Sequence, residues 1–353
     1  MRVALDVTPA LSGLTGVARY TRQLAESLAV IGVDVRPFAV GRGPGDLPTG
    51  TRHLRVPLRV VQPVWSHLRV PRAEWLSAGA DLTHSLDLLP PPTRLPLVVT
   101  VHDLAALDRP DLHAPHAAAQ LTRRLETLDR AAVVIAISAT TGDALARHGI
   151  SASRIMVSLL APVPLLAAPV TPPETTPFVL AVGELMPRKD YPTLLRALAL
   201  EPAREVRLVV AGPVGFRGEE VIALATRLGL DDRVRFAGHV TDGELAGLYQ
   251  GATALCLPSV IEGFGLPLVE AMSAGLPIIA SDIPVVREIT SDAALLVPVC
   301  DPDRLAAALA QVLSDADLRA KLRARGVERA KDFSWERTAR ATLEGYERAL
   351  SCG

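Results

Sequence analysis

The stretch "SVIEGFGLPLVEAMSAGLPIIASD", residues 259–282, decides how the chain is read. It follows an apolar run, "ATALCLPS", that reads as a buried strand. Residues 259–266 then form a loop, and Pro267 suits the first turn of a helix over "PLVEAMSAG". Gly263 and Gly265 let backbone amides approach a ligand closely, and the helix amino terminus adds a positive dipole end that attracts phosphate. Glu262 falls in the loop and Glu270 in the first helical turn. Carboxylates at those places suit hydrogen bonds from sugar hydroxyls. An acid that complements the helix dipole, worth roughly 0.3–1 kcal/mol, beside glycines that only turn the chain accounts for the same pattern. The residues of this stretch leave both readings open.

Outward from it, "FVLAVG", "VRLVVAG", "RVRFAG", "ATALCLPS", "LPIIAS" and "AALLVP" are each followed by a loop and mostly by a helical stretch, as parallel βαβ construction requires. Residues 155–173 carry Pro162, Pro164, Pro169, Pro172 and Pro173, which a spanning helix would not tolerate, and read as an interdomain linker. Before it, "RVALDV", "PLVVTVHD" and "AAVVIAIS" alternate with helices over 16–31, 114–130 and 139–148. Two doubly wound α/β domains follow. Such sheets bind ligands beyond the carboxyl ends of their strands, which singles out His102, Glu184, Gly212 and Glu262.

The 353 residues suit two domains, and a formal net charge of −1 gives no field that favours nucleic acid. Cys256, Cys300 and Cys352 lack paired spacing, and the start "MRVALDVTPA" reads as a buried strand rather than an export signal, so a reducing cytoplasm is expected. Asp301 before Pro302 reads as a helix cap rather than a metal pair, "TDGE" at 241–244 as a capping box, and "GRGPG" at 41–45 as a loop without the dinucleotide fingerprint. Arg52, Arg55, Arg59, Arg69 and Arg72 lie among apolar residues and two tryptophans. That face suits an anionic lipid-linked acceptor or a membrane surface, and arginine stems covering apolar surface explain it equally.

The run "PSVIEGFGLPLVEAMSAGLPIIASDIPVVREI", with seven residues between its two glutamates, resembles the donor-site signature of retaining GT-B glycosyltransferases of family four. "GLTGVARYTRQLAESL" resembles the family's glycine loop and first helix, and "VGELMPRKDYPTLLRA" its phosphate-binding segment. "FSWERTARATLEGYERAL" resembles the final helix that crosses back to the first domain. The resemblance implies two Rossmann-like domains facing a cleft. Residues 1–165 with the returning helix 335–353 would be the acceptor domain, and residues 166–334 the donor domain.

It also implies retaining transfer of a hexose, with mannose and GDP-mannose favoured, to a glycan or lipid-linked saccharide, without metal or cofactor. Glu262 would contact donor-sugar hydroxyls, Glu270 the ribose, and the amides of Gly263, Phe264 and Gly265 the sugar or phosphates. Arg188 and Lys189 would neutralise the diphosphate, Gly16 would approach it, and His102 would line the sugar pocket; Gly183, Glu184, Gly212 and Leu266 complete the expected donor contacts. Glu262, His102, Arg188 and Lys189 form the expected catalytic set. The departing phosphate would itself take the acceptor proton, with no enzyme nucleophile.

One departure is Glu184, where many members have an arginine after the glycine. The charge then falls on Arg188 and on Lys189, which is one of three lysines among 37 basic residues. A mannosyltransferase-like subset shares the "PRK" arrangement. Glu184 also leaves open a catalytically silent nucleotide-sugar-binding protein. A nicotinamide-dependent oxidoreductase would need a glycine fingerprint after the first strand, which "DVTPALSGLTG" lacks.

Overall fold

The computed structural model describes residues 1–13, 15–162 and 176–351, without the side chains of Gln62, Ser66 and His67. Within these residues the chain forms two compact units. One comprises Met1–Leu104, Ala119–Ala161 and the C-terminal helix Trp335–Ser351; the other comprises Ala105–Ala118 and the chain from Pro162 to Phe333. The expected boundary at residues 165 and 166 lies outside the described residues, as do Pro164, Pro169, Pro172 and Pro173 of the linker.

The first unit holds β1 (Arg2–Asp6), β2 (Asp34–Val40), β3 (Arg52–Leu54), β4 (Leu82–Ser85), β5 (Leu97–Val101), β6 (Val133–Ala136) and β7 (Ile155–Val157). They form a parallel sheet in the order β3-β2-β1-β4-β5-β6-β7. All of β4, β5 and β6 is buried, so these strands show no alternation, as in a parallel sheet covered on both faces. Here the structure corrects the linker expected from residue 155. Ile155–Val157 pair with Val134–Ala136 as an edge strand, because this apolar Ile-Met-Val run precedes the prolines.

The second unit holds β8 (Val179–Val182), β9 (Leu208–Ala211), β10 (Val234–Gly238), β11 (Ala254–Leu257), β12 (Ile278–Ser281) and β13 (Ala294–Val297), each within an apolar run that predicted it. Their order is β10-β9-β8-β11-β12-β13. Strand order therefore reverses between β1 and β4 in one sheet and between β8 and β11 in the other. At such switch points neighbouring loops diverge to opposite faces and leave a crevice at the carboxyl ends of the strands.

The C-terminal helix buries Thr338, Thr342, Gly345, Tyr346 and Ala349 along one stripe, against the helix Gly16–Val30 and against β4, β5 and β6. The return of the last helix to the first unit is thus as expected. Its anchor is polar: Tyr346 Oη meets His84 Nδ1 at 2.8 Å, and His84 Nε2 meets Thr100 Oγ1 at 2.8 Å. Burial pushes the His84 imidazole down to about 3, so it is neutral and donates at one nitrogen while accepting at the other.

Asp301 caps the helix Pro302–Ser314 by accepting from the Arg304 amide, and Thr241 and Glu244 form a capping box, both as read from the sequence. Among the described residues, no helix is long and apolar enough to cross a membrane.

Candidate functional site

In the second unit the loops after β8 and β11 meet at the switch point. Gly183 follows β8, with φ of 144°; a Cβ there would come within 3.0 Å of Lys189 Cε and 3.2 Å of its Nζ, so the glycine makes room for the lysine to fold back. Gly212 packs backbone to backbone on the same residue, since its Cβ would lie 2.1 Å from the Gly183 carbonyl oxygen. This gives Gly212 a packing role. Pro187–Lys189 form a single 3₁₀ turn, and the Val260 amide donates to the Arg188 carbonyl at 2.9 Å, which ties the two loops together.

Three charges converge where these loops touch. Arg188 Nη1 donates to Glu262 Oε2 at 2.8 Å, Lys189 Nζ to Glu262 Oε1 at 2.5 Å, and Ser259 Oγ to the same Oε1 at 2.7 Å. The side chains of Glu262, Lys189 and Arg188 are 6%, 8% and 19% exposed. Burial alone would raise the Glu262 carboxyl, but the fields of Lys189 and Arg188 and the two hydrogen bonds outweigh it and hold the group at about 2. An ionised carboxylate thus sits between two cations, in the loop that leads into the helix Leu266–Ser273.

That helix is capped by Gly265 at φ of 88°, where a Cβ would come within 2.9 Å of Leu268 Cδ1. Phe264 is buried with its ring against Phe333, so only its backbone is available to a ligand. The sequence reading of Glu270 is corrected: the helix starts at Leu266, which puts Glu270 in the second turn, beyond the reach of a dipole-complementing role. Glu270 is buried and accepts from Tyr249 Oη at 2.7 Å. Glu184 is exposed, with its carboxylate over Gly215.

In the first unit, Gly16 opens the helix Gly16–Val30, which Thr15 caps through the Ala18 amide. His102 follows β5. Its Nε2 lies 3.0 Å from the Leu86 carbonyl, and its ring stands edge-on to Tyr20 of that helix at 5.1 Å. Since a carbonyl only accepts, Nε2 carries the proton. Burial lowers the imidazole below its ordinary range, against the raising effects of the Leu86 carbonyl, Asp87 and Asp103, so the ring is neutral with Nδ1 as its acceptor nitrogen.

Sequence reasoning missed Ser259, Tyr249 and Asp6. Ser259 and Tyr249 carry no pattern of their own. Asp6 had a signal, its place at the carboxyl end of the first strand; it is buried, accepts from the Thr8 amide at 3.0 Å and is pushed up to about 6 by that burial.

Residues 166–329 match the family model described as glycosyl transferases group 1, and residues 14–158 match that of glycosyltransferase family 4. An O-antigen chain mannosyltransferase B of Escherichia coli is 28% identical over 98% of this chain and 100% of its own. A D-inositol 3-phosphate glycosyltransferase of Kineococcus radiotolerans is 31% identical over 72% of this chain and 67% of its own; that of Frankia alni is 39% identical, but only 46% of it is matched. Among solved structures, a sucrose-phosphate synthase from Thermosynechococcus elongatus superposes with a TM-score of 0.81 at 25% identity, covering 100% of both chains. HepE of Anabaena, in complex with UDP and glucose, does so with a TM-score of 0.77 at 19% identity, covering 98% and 99%.

Proposed function

Because this chain belongs to the GT-B glycosyltransferases of family four, we propose that it moves mannose, with retention of configuration and without a metal, from GDP-mannose to a glycan or lipid-linked saccharide. The observation that carries this reading is the Glu262 carboxylate held between Arg188 and Lys189 at the β8–β11 switch point. The mannosyltransferase relative supports the sugar.

The chemistry follows from the charges. A diphosphate entering the site competes with Glu262 for the same two cations and, with two negative charges over four terminal oxygens against one over two, displaces it. Arg188 and Lys189 then hold the leaving group. The released Glu262 turns to the sugar hydroxyls, while Glu270, fixed by Tyr249, takes the ribose. The C1–O bond to phosphate breaks, the bond from C1 to the acceptor oxygen forms on the same face, and the departing phosphate oxygen takes the acceptor proton. Two protein cations and the helix amides supply the stabilisation of developing charge that a metal gives elsewhere.

A cytoplasmic enzyme with a peripheral membrane contact fits the face around the helix Leu58–His67. There Val60, Leu68 and Trp75 are exposed among Arg55, Arg59 and Arg69, and Arg72 lies 6.0 Å from the Trp75 ring.

A thermal-shift panel with GDP-mannose and UDP-glucose tests the donor. A donor at about 100 times its Kd should add roughly 2.7 kcal/mol of stability, GDP-mannose should give the larger shift, and EDTA should change neither binding nor turnover. NMR of the product should show the donor's anomeric configuration. Stabilisation by neither nucleotide sugar would overturn the reading.

A further inference from the structure

The loop Gly41–Gly45 has no part in the site described above, yet its backbone is closely fitted. A Cβ on Gly43 would lie 2.1 Å from the Leu11 carbonyl oxygen, and one on Gly45 would lie 1.9 Å from that of Ala10. Only glycine lets this loop lie on the turn that follows β1. The fit builds a cavity of about 650 Å³ whose lining includes Leu11, Leu47, Arg42, Asp46, His53 and Arg55. Arg42 is held in place by donating through Nε to the Arg55 carbonyl at 3.2 Å, and His53 Nε2 is 2.9 Å from the Gly41 carbonyl.

Elsewhere arginines find acids: Arg36 pairs with Asp34, Arg217 with Glu220 and Arg340 with Glu336. Among the described residues neither Arg42 nor Arg55 has a carboxylate partner, although Asp46 lines the same cavity. Arg42 and Arg55 both line the cavity, neither is paired with its one acid, Asp46, and planar guanidinium forks match the oxygens of phosphate, which they can hold by paired hydrogen bonds.

The position is also informative. The lining comes from the carboxyl ends of β1, β2 and β3, the same edge of the sheet on which His102 follows β5. Three strand spacings separate β2 from β5, about 14 Å.

We propose that this cavity binds a phosphate or diphosphate group of the acceptor, at the end remote from the hydroxyl that receives the sugar. The assignment to the acceptor rests on the transferase reading above; the anion site itself does not.

The test is calorimetric titration of the full chain with inorganic pyrophosphate, in the presence of saturating GDP so that Arg188 and Lys189 are occupied. The Arg42→Gln/Arg55→Gln variant should bind pyrophosphate at least ten-fold more weakly, with its melting temperature and its affinity for GDP unchanged. Should GDP fail to bind, the donor reading is at fault, and the same titration in an Arg188→Gln background still decides the cavity.

A second arm sediments the protein with phosphatidylglycerol vesicles. Loss confined to the pyrophosphate arm identifies a soluble phosphoester, and loss confined to the vesicle arm identifies a headgroup. Absence of binding in both arms, or binding that the double substitution leaves unchanged, overturns the proposal.

Discussion

Glu262 in the second unit and Asp6 in the first are both buried, 9% and 4% exposed, yet Glu262 is held at about 2 and Asp6 is pushed up to about 6. The difference lies in their partners. Glu262 has two cations and a hydroxyl within 2.8 Å, whereas Asp6 has Thr8 and feels the neighbouring Asp87. Burial at Glu262 is therefore ionic, whereas burial at Asp6 favours the neutral form, as it does at His84 and His102. The diphosphate site proposed above calls for the first kind of burial, and the proposed acceptor side with its neutral imidazole tolerates the second.

The largest expected effect breaks the ionic side. Lys189→Met removes one partner of a buried pair and leaves Glu262 with Arg188 alone, which should cost about 3 kcal/mol, the lower end for broken buried pairs. Urea unfolding measures the loss, and calorimetry should show weaker nucleoside-diphosphate binding in the same variant. A loss below about 1 kcal/mol would mean that the pair is solvated and the contrast with Asp6 is false.

The neutral side shows itself in the pH dependence. His84 ordinarily titrates near 6.5 but is held at about 3, so the unfolded chain takes up protons first and stability falls as pH drops below about 6.5. Asp6 works the other way. Its raised value means that the folded state binds the extra proton between about 4 and 6, so its contribution rises as pH drops through that window. The two nearly cancel there. Asp6→Asn removes the compensation and should lose stability by about 1.4 kcal/mol per pH unit more steeply than wild type between pH 6 and 4. Parallel curves would show that Asp6 is ordinary.

A smaller effect sharpens the comparison within the first unit. Tyr346→Phe leaves a buried nitrogen of His84 without its hydroxyl partner and should cost about 1–3 kcal/mol with no change in nucleotide affinity. Thermal melting and calorimetry on the one variant decide both halves.

The same contrast explains what could be read from the sequence. The strands of the second unit lie in largely apolar runs, with Arg235 of β10 the one charge among them, and the site residues Arg188, Lys189, Glu262 and Glu270 lie in segments with recognisable spacing. In the first unit β4 is "LTHS", a polar run that is wholly buried because His84 satisfies itself with Tyr346, which lies 262 residues away. No local pattern reports such a partner. Pro37 hid β2, although β3 pairs with that strand only at Phe38–Val40, so one side of β2 is open at the proline. The ion pairs of Glu262 were equally hidden: the residues were identified one by one, but their union across 73 and 74 positions exists only once the β8 and β11 loops meet.

In the proposed mechanism Glu262 and the donor diphosphate compete for Arg188 and Lys189. Calorimetric titration of Glu262→Gln with inorganic pyrophosphate, carried out in an Arg42→Gln/Arg55→Gln background so that only the cations at Glu262 are read, tests this exchange most directly, since the ligand has no sugar or ribose for Glu262 or Glu270 to hold. If the carboxylate occupies the cations in the empty site, its neutralisation should tighten pyrophosphate binding by about tenfold, the worth of one charged hydrogen bond, while transfer activity collapses. Pyrophosphate affinity equal to or weaker than that of the same background with Glu262 intact, in a variant that melts cooperatively, would contradict the exchange and leave Glu262 as a fixed structural counter-ion.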